Sequence, residues 1–334
     1  MPLNNSIKLC LIFIFSVSIA YAKELPPLSS ECFKEASPDT IHSCGNADHP
    51  LQPTILYRLG PGKNNVVQGI ALDSNKRVLY SLHVTGKPEK GVLNRFIDID
   101  GKDTLESVDY QKPSSAIGHQ GITLIPNTNW LLSSAGEAIK NKGWYISLFK
   151  YAANSDPDPL IAIKIFGSGY SKSTSSMPVV TPDSNYLLVR GRVKNTNIIR
   201  VYSLNKTNIL NTQDISQASY SEWEVDNHLT DDDYFFQAVT ADNKFVYLLS
   251  GRAGKGYKRV YIYTLNGKLI EKINDVTLGE KDAIESGIEA HWEPEGLTID
   301  SKVKELYLLF AIGDKGKRIG NMYKLKLHEN DINQ

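Results

Sequence analysis

The sequence predicts an all-β fold, a five-bladed β-propeller with ring closure by an N-terminal strand, and two observations carry the prediction. A short cassette recurs five times, and its spacing allows one four-stranded blade per copy. Each copy has a polar residue, a small residue, two or three β-formers, a turn and a strongly apolar strand. The first is Gln68-Gly69-Ile70-Ala71-Leu72-Asp73, leading into Val78-Leu79-Tyr80-Ser81-Leu82. The second is Gln120-Gly121-Ile122-Thr123-Leu124 with Trp130-Leu131-Leu132, and a weaker third is Met177-Pro178-Val179-Val180 with Tyr186-Leu187-Leu188-Val189. The fourth is Gln237-Ala238-Val239-Thr240-Ala241-Asp242 with Phe245-Val246-Tyr247-Leu248-Leu249. The fifth is Glu295-Gly296-Leu297-Thr298-Ile299-Asp300 with Leu306-Tyr307-Leu308-Leu309-Phe310. Successive copies begin 52, 57, 60 and 58 residues apart. Each unit reads as strands bounded by turns, which excludes a helical solenoid.

Taken in chain order, residues 1–22 have the pattern of a signal peptide. Lys8 supplies the positive region, residues 9–20 the apolar run, and Ala20-Tyr21-Ala22 a small-residue cleavage site. That run is too short and wrongly flanked for a stable membrane span. The expectation is a secreted or periplasmic protein, cleaved near Ala22, with no transmembrane segment in the mature chain. Cleavage removes Cys10 and leaves Cys32 and Cys44, expected to form one disulfide in an oxidising compartment. They fall in residues 23–53, read as an irregular stapled extension. The propeller is assigned to residues 54–328 and a tail to 329–334.

Third strands are expected over residues 198–204, 260–265 and 322–327, and more polar fourth strands over 160–166 and 269–274. A polar outer strand suits an exposed sheet edge. After residue 327 only seven residues remain, too few for a turn and an outer strand. Ile55-Leu56-Tyr57-Arg58-Leu59 supplies the missing strand from the other terminus.

In a propeller the first strand of each blade lines the central channel, so the leading polar residues converge on its mouth: Gln68, Gln120, Gln237 and Glu295, with Met177 the exception. They could hydrogen-bond a sugar, or serve the backbone between blades. The segments 86–91, 136–143, 190–194, 251–259 and 313–318 carry 14 Lys or Arg against three acids, whereas the whole chain has 37 of each sign. All five are expected as loops on one face, forming a basic rim that would attract a polyanion; solubility is the plainer explanation. With no net charge, nothing global points to nucleic acid as a partner.

In His291-Trp292-Glu293-Pro294-Glu295, alternate residues of an extended chain share a face. His291, Glu293 and Glu295 could thus ligate a divalent cation, with His119 from the second blade entry as a further ligand; a solvated acidic loop is the alternative. No other cofactor is expected. The chain contains no GxSxG elbow, HExxH, P-loop or dinucleotide fingerprint.

The cassettes, above all Glu293-Pro294-Glu295-Gly296-Leu297, the strand at 306–310 and Arg318-Ile319-Gly320-Asn321-Met322-Tyr323-Lys324-Leu325, resemble a known propeller group over about residues 53–327. It contains staphylococcal phage receptor-binding proteins, teichoic acid biosynthesis protein C and, more distantly, helveticin J-type bacteriocins. The resemblance implies a five-bladed propeller in contact with surface glycopolymers. Met177-Pro178 and the cysteine-bearing extension depart from the group's pattern. Phytase-like and lactonase-like propellers also use a Glu-Gly-Leu blade start and bind metals with channel carboxylates.

The functional expectation is an exported, non-catalytic module that binds an anionic surface glycan or cell-envelope polymer. Its binding residues would be Gln68, Gln120, Gln237, Glu295, His119, Arg192, Arg252, Lys255 and Arg318. The alternatives are a metal-dependent hydrolase or lactonase acting in the channel, and a scaffold for another exported protein.

Overall fold

The computed structural model describes residues 55–59, 66–226, 228–229, 235–254, 258–274, 276–285, 292–313 and 318–326. Strand β1 (Ile55–Leu59) precedes blade 1, which consists of β2 (Val67–Asp73), β3 (Val78–Thr85), β4 (Lys90–Phe96) and, after the short β5 (Thr104–Leu105), β6 (Asp109–Ser114). Blade 2 holds β7 (Ile117–Leu124), β8 (Trp130–Ala135), β9 (Tyr145–Lys150) and β10 (Leu160–Lys164). Blade 3 holds β11 (Pro178–Val180), β12 (Tyr186–Val193), β13 (Thr196–Ser203) and β14 (Ser219–Glu224). Blade 4 holds β15 (Phe236–Ala241), β16 (Phe245–Ser250), β17 (Arg259–Thr264) and β18 (Leu269–Ile273). Blade 5 holds β19 (Trp292–Asp300), β20 (Glu305–Ile312) and β21 (Ile319–Lys326). The five cassettes thus start five antiparallel sheets, each beginning with its innermost strand.

Blade 5 is completed from the other end of the chain. Strand β1 lies antiparallel to β21, with Tyr57 opposite Met322 and Leu59 opposite Gly320. Strand β5 then adds in parallel outside β1, and the Arg58 amide donates to the Asp103 carbonyl at 2.8 Å. Without β1, the outer edge of β21 would leave a row of backbone groups unpaired. The ring is closed by the N-terminal strand, as the short C-terminal remainder predicts.

One boundary differs from the sequence reading. Residues 190–194 are expected as a loop, yet β12 continues to Val193, with Arg190 opposite Ile199 and Arg192 opposite Asn197. Val193 pairs with Thr196, so the hairpin turns on Lys194-Asn195 alone, with Lys194 at φ 52°. Asn favours such a two-residue turn, and the charges that suggested a loop ride on strand residues.

The apolar strands bury both faces because each blade packs between two neighbours. Leu79, Phe96, Leu59, Tyr307, Leu309 and Met322 share the seam between blades 1 and 5. Tyr247, Leu249, Leu306, Leu308 and Phe310 fill the seam between blades 4 and 5. Near the axis the inner strands approach too closely for large side chains. A Cβ on Gly121, which has φ +75°, would lie 2.7 Å from the Met177 Cβ, and one on Gly296 would lie 3.2 Å from the Gly69 Cα. This is the physical reason for the small residue in the cassette.

At one end of the channel the short turns between first and second strands are tied blade to blade. Asn75 Nδ2 donates to Asn127 Oδ1 at 3.4 Å, the Asp183 amide to Asn243 Oδ1 at 3.0 Å, and the Ser301 amide to Ser74 Oγ at 3.1 Å. Arg77 spans the closing seam, binding Asp100 of blade 1 and the buried Asp300 of blade 5. Those carboxylates push its pKa up, and its charge holds Asp100 below the ordinary carboxylate range.

Replacing Leu59 by Ala removes a buried contact from the closing strand and should cost about 2–4 kcal/mol of unfolding free energy. Urea denaturation checks this; a loss below about 1 kcal/mol would mean that β1 does little to hold the ring.

Candidate functional site: the mouth of the channel

The opposite end of the channel is built differently. There the inner strands begin, and three of them shift register at the cassette's polar residue: β2 between Val67 and Gly69, β15 between Phe236 and Ala238, and β19 between Pro294 and Gly296. Strand β7 shifts between Ile117 and Ile122. Gln68, Gln237 and Glu295 are thus the extra residues of β-bulges and Gln120 lies within the fourth irregularity; such positions re-aim a side chain. Blade 3 has no such shift between Met177 and β11: the Arg190 amide donates to the Met177 carbonyl at 3.0 Å and Met177 is fully buried.

The four polar side chains pair off around the channel. Gln68 Nε2 donates to Glu295 Oε1 at 3.1 Å, joining blades 1 and 5. Gln120 Nε2 donates to Gln237 Oε1 at 3.1 Å, joining blades 2 and 4 over the position where blade 3 offers only Met177. Gln237 Nε2 in turn donates to the Gly251 carbonyl at 3.0 Å. Gln68, Gln237 and Glu295 are buried, so their amide and carboxyl groups form a floor.

Above this floor is a cavity of about 760 Å³ lined by all five blades. Blades 3 and 4 supply Arg190, Arg192, Arg252, Phe235 and the hydroxyls of Ser173, Thr174 and Ser175. Arg252 lies 5.2 Å from the ring centre of Phe235, which is 38% exposed. The buried Arg190 donates to Asn197 Oδ1 at 2.6 and 2.9 Å and to the Ser175 carbonyl at 3.1 Å. Arg192 is half-buried, its Nε donating to the Lys194 carbonyl at 3.2 Å. On the far side His119 Nδ1 is 3.1 Å from Glu89 Oε2.

Blade 5 brings two carboxylates and one guanidinium together. Arg318 Nη1 donates to Glu293 Oε2 at 2.5 Å and lies 4.0 Å from Glu295 Oε1. Burial, reinforced by repulsion from Glu293, pushes the Glu295 carboxyl well above the ordinary carboxylate range despite Arg318 and Gln68. The place beside both acids where a metal was considered is thus faced by Arg318. His291 and Lys255 lie outside the described residues, as do residues 1–22, Cys32 and Cys44, the extension 23–53 and the tail 329–334. Among the described residues no three His, Cys, Asp or Glu side chains are grouped to hold a metal ion.

With the fold and the mouth in view, the chain can be set beside known proteins. The profile of the phage 5-bladed β-propeller receptor binding platform domain matches residues 66–324. The chain belongs to this family. A tail fiber of Staphylococcus aureus phage P68 superposes with a TM-score of 0.57 at 18% identity, over 84% of this chain and 54% of that one. The present chain therefore spans about half the length of that fiber. A luciferin-regenerating enzyme aligns at TM-score 0.43 and 11% identity over 80% of this chain and 93% of that one. Hydrazine synthase of Kuenenia stuttgartiensis aligns at 0.40 and 11%, over 74% and 64%. No curated protein matches the chain.

In this receptor binding platform the mouth brings together Gln68, His119, Gln120, Arg192, Gln237, Arg252 and Glu295. Arg318 lies beside the cavity as the partner of its acids. Sequence reasoning missed Phe235 and the 173–175 hydroxyls. The hydroxyls carry a composition signal, a run of Ser and Thr before the third cassette, whereas nothing local marks Phe235. Lys258 was counted as part of a basic rim. It is instead buried, its ammonium 4.3 Å from the ring centre of Trp292 and 2.8 Å from the Gly254 carbonyl.

Burial pulls the Lys258 ammonium down to about 8, against attraction from Glu293 and Glu280. A base depressed in the folded state binds fewer protons than in the unfolded chain, so its stability penalty is complete below about pH 8 and disappears as pH rises toward 10.5. Lys258→Met should therefore match or exceed wild type in stability at pH 7. Denaturant titrations across this window should show wild type gaining on the variant by about 3 kcal/mol. A constant difference across the window would reject a depressed Lys258.

Proposed function

We propose that this platform is an exported, non-catalytic binding module that takes an anionic surface glycan or cell-envelope polymer at the channel mouth. The observation that carries the reading is the joining, in one cavity, of an amide floor with Arg192, Arg252 and the exposed ring of Phe235. Amides discriminate hydroxyl geometry, guanidinium groups attract and orient carboxylate or phosphate, and an aromatic face packs on the apolar side of a sugar or polyol. The family's receptor-binding character supports a binding role, and the likeness to a phage tail fiber supports the fold on which that role would rest. Export rests on the signal-peptide pattern of residues 1–22. Among the described residues no helix is long and apolar enough to cross a membrane.

The reading makes binding salt-dependent. The purified chain should bind at least one member of a panel containing polygalacturonate, heparin and a poly(glycerol phosphate), with Kd rising roughly tenfold between low and physiological salt. Arg192→Gln combined with Arg252→Gln should weaken binding by a further factor of about ten and flatten the salt dependence, with an unchanged circular dichroism spectrum. Binding indifferent to both salt and these substitutions would remove the charged wall from recognition. Absence of binding across the panel would remove the anionic ligand.

A further inference from the structure

The geometry points to a ligand unit with a single point of attachment: we infer that the mouth takes a chain end or a pendant residue of an anionic glycan, not an internal run of the polymer. The inference rests on the proposed binding function and narrows its ligand. An internal stretch must enter a site and leave it, which requires a groove open at two ends. The cavity instead receives residues from every blade: Gln68, Gln120, Arg192, Arg252 and Glu293 come from blades 1 to 5 in turn. Arg192, Arg252 and Glu293 of blades 3, 4 and 5 thus stand over a floor centred on the axis, not along a groove on one blade.

Nor does a path continue downward. The Gln68–Glu295 hydrogen bond joins the adjacent blades 1 and 5, the Gln120–Gln237 hydrogen bond reaches from blade 2 to blade 4, and Met177 of blade 3 is fully buried. A second, smaller cavity of about 80 Å³ lies at the other end, lined by residues such as Ala71, Val179, Thr240 and Thr298. The two cavities share no lining residue, and the buried floor residues Gln68, Gln237 and Glu295 lie between them. A polymer cannot thread through the ring, and a unit entering the mouth must stop on the floor.

The size and stiffness of the walls agree with a small terminal unit. A volume of about 760 Å³ is that of a pocket for a compact ligand. The hydroxyl-bearing wall is held in place. Ser171 Oγ accepts from the Ser173 and Thr174 amides at 3.4 and 3.2 Å, Ser176 Oγ donates to the Gly143 carbonyl at 2.6 Å, and the Ser171 amide donates to the Arg192 carbonyl at 2.8 Å. A wall held in this way favours one bound unit over a sliding chain.

The test is a calorimetric titration of the purified chain with unbranched oligogalacturonides and glycerol-phosphate oligomers, from dimers to chains of about twenty residues. A comb polymer bearing pendant uronates on a neutral backbone is titrated in parallel. End or pendant recognition predicts a molar Kd constant within about twofold over the unbranched series. The comb's apparent affinity then separates the two sources: a rise with the number of pendant groups marks pendants, and no rise marks chain ends. Recognition of internal runs would instead lower Kd in proportion to length, about tenfold across the series. That result overturns the inference and leaves the binding function standing. No binding by any probe, long or short, removes the binding function and the inference together.

Discussion

The pairing of β1 with β21 is the constraint on which the rest of the molecule depends. Four blades are complete within consecutive sequence, but blade 5 has only three strands until Ile55–Leu59 joins it. Loop closure over nearly the whole chain is entropically unfavourable, yet that cost grows only slowly with length. Against it stand the antiparallel pairing of β1 with β21, continuous from Tyr57 to Leu59, and the apolar seam of Leu59, Ile70, Leu79, Tyr307 and Met322. The same seam passes through the mouth, because Gln68 belongs to blade 1 and Glu295 to blade 5. A ligand resting on that pair touches both sides of the closure, so binding and ring integrity are thermodynamically linked.

The two ends of the channel divide the work. At the turn end, short connections are stitched to their neighbours by Asn75, Asp183, Ser301 and Arg77, and their polar groups are occupied with one another. At the mouth, bulges turn polar side chains toward the axis while the strands and loops above them supply Arg192, Arg252 and Phe235. A stiff base under an adaptable rim is how a propeller keeps its site in register while the rim diverges.

Much of this was legible in the sequence, for physical reasons that differ from element to element. The blade count followed from inner and second strands buried on both faces, which must be apolar wherever they recur. Closure followed from counting the residues left after 327. The polar–small pair of the cassette was visible as a pattern, but its cause was not. Gln68 is a bulge residue, and Gly121 is required by the Met177 side chain of the next blade, both of which are tertiary facts. Phe235 and the 173–175 hydroxyls reach the mouth through chain paths that no local period encodes. Reading 190–194 as a loop failed because charge was taken for exposure, whereas Arg190 is buried on a strand against Asn197.

Lys258 and Glu295 show why charge counting misleads most near the axis. Both are buried in or beside blade 5's inner strand, and burial displaces both toward their neutral forms. A propeller selected for stability alone would have apolar residues at such positions, since buried ionisable groups seldom repay their desolvation. Here Glu295 pairs with Gln68 in the floor, and Lys258 packs on Trp292, which precedes Glu293. The polar architecture of the mouth thus rests on buried ionisable groups held by specific partners, contacts that apolar packing alone would not supply.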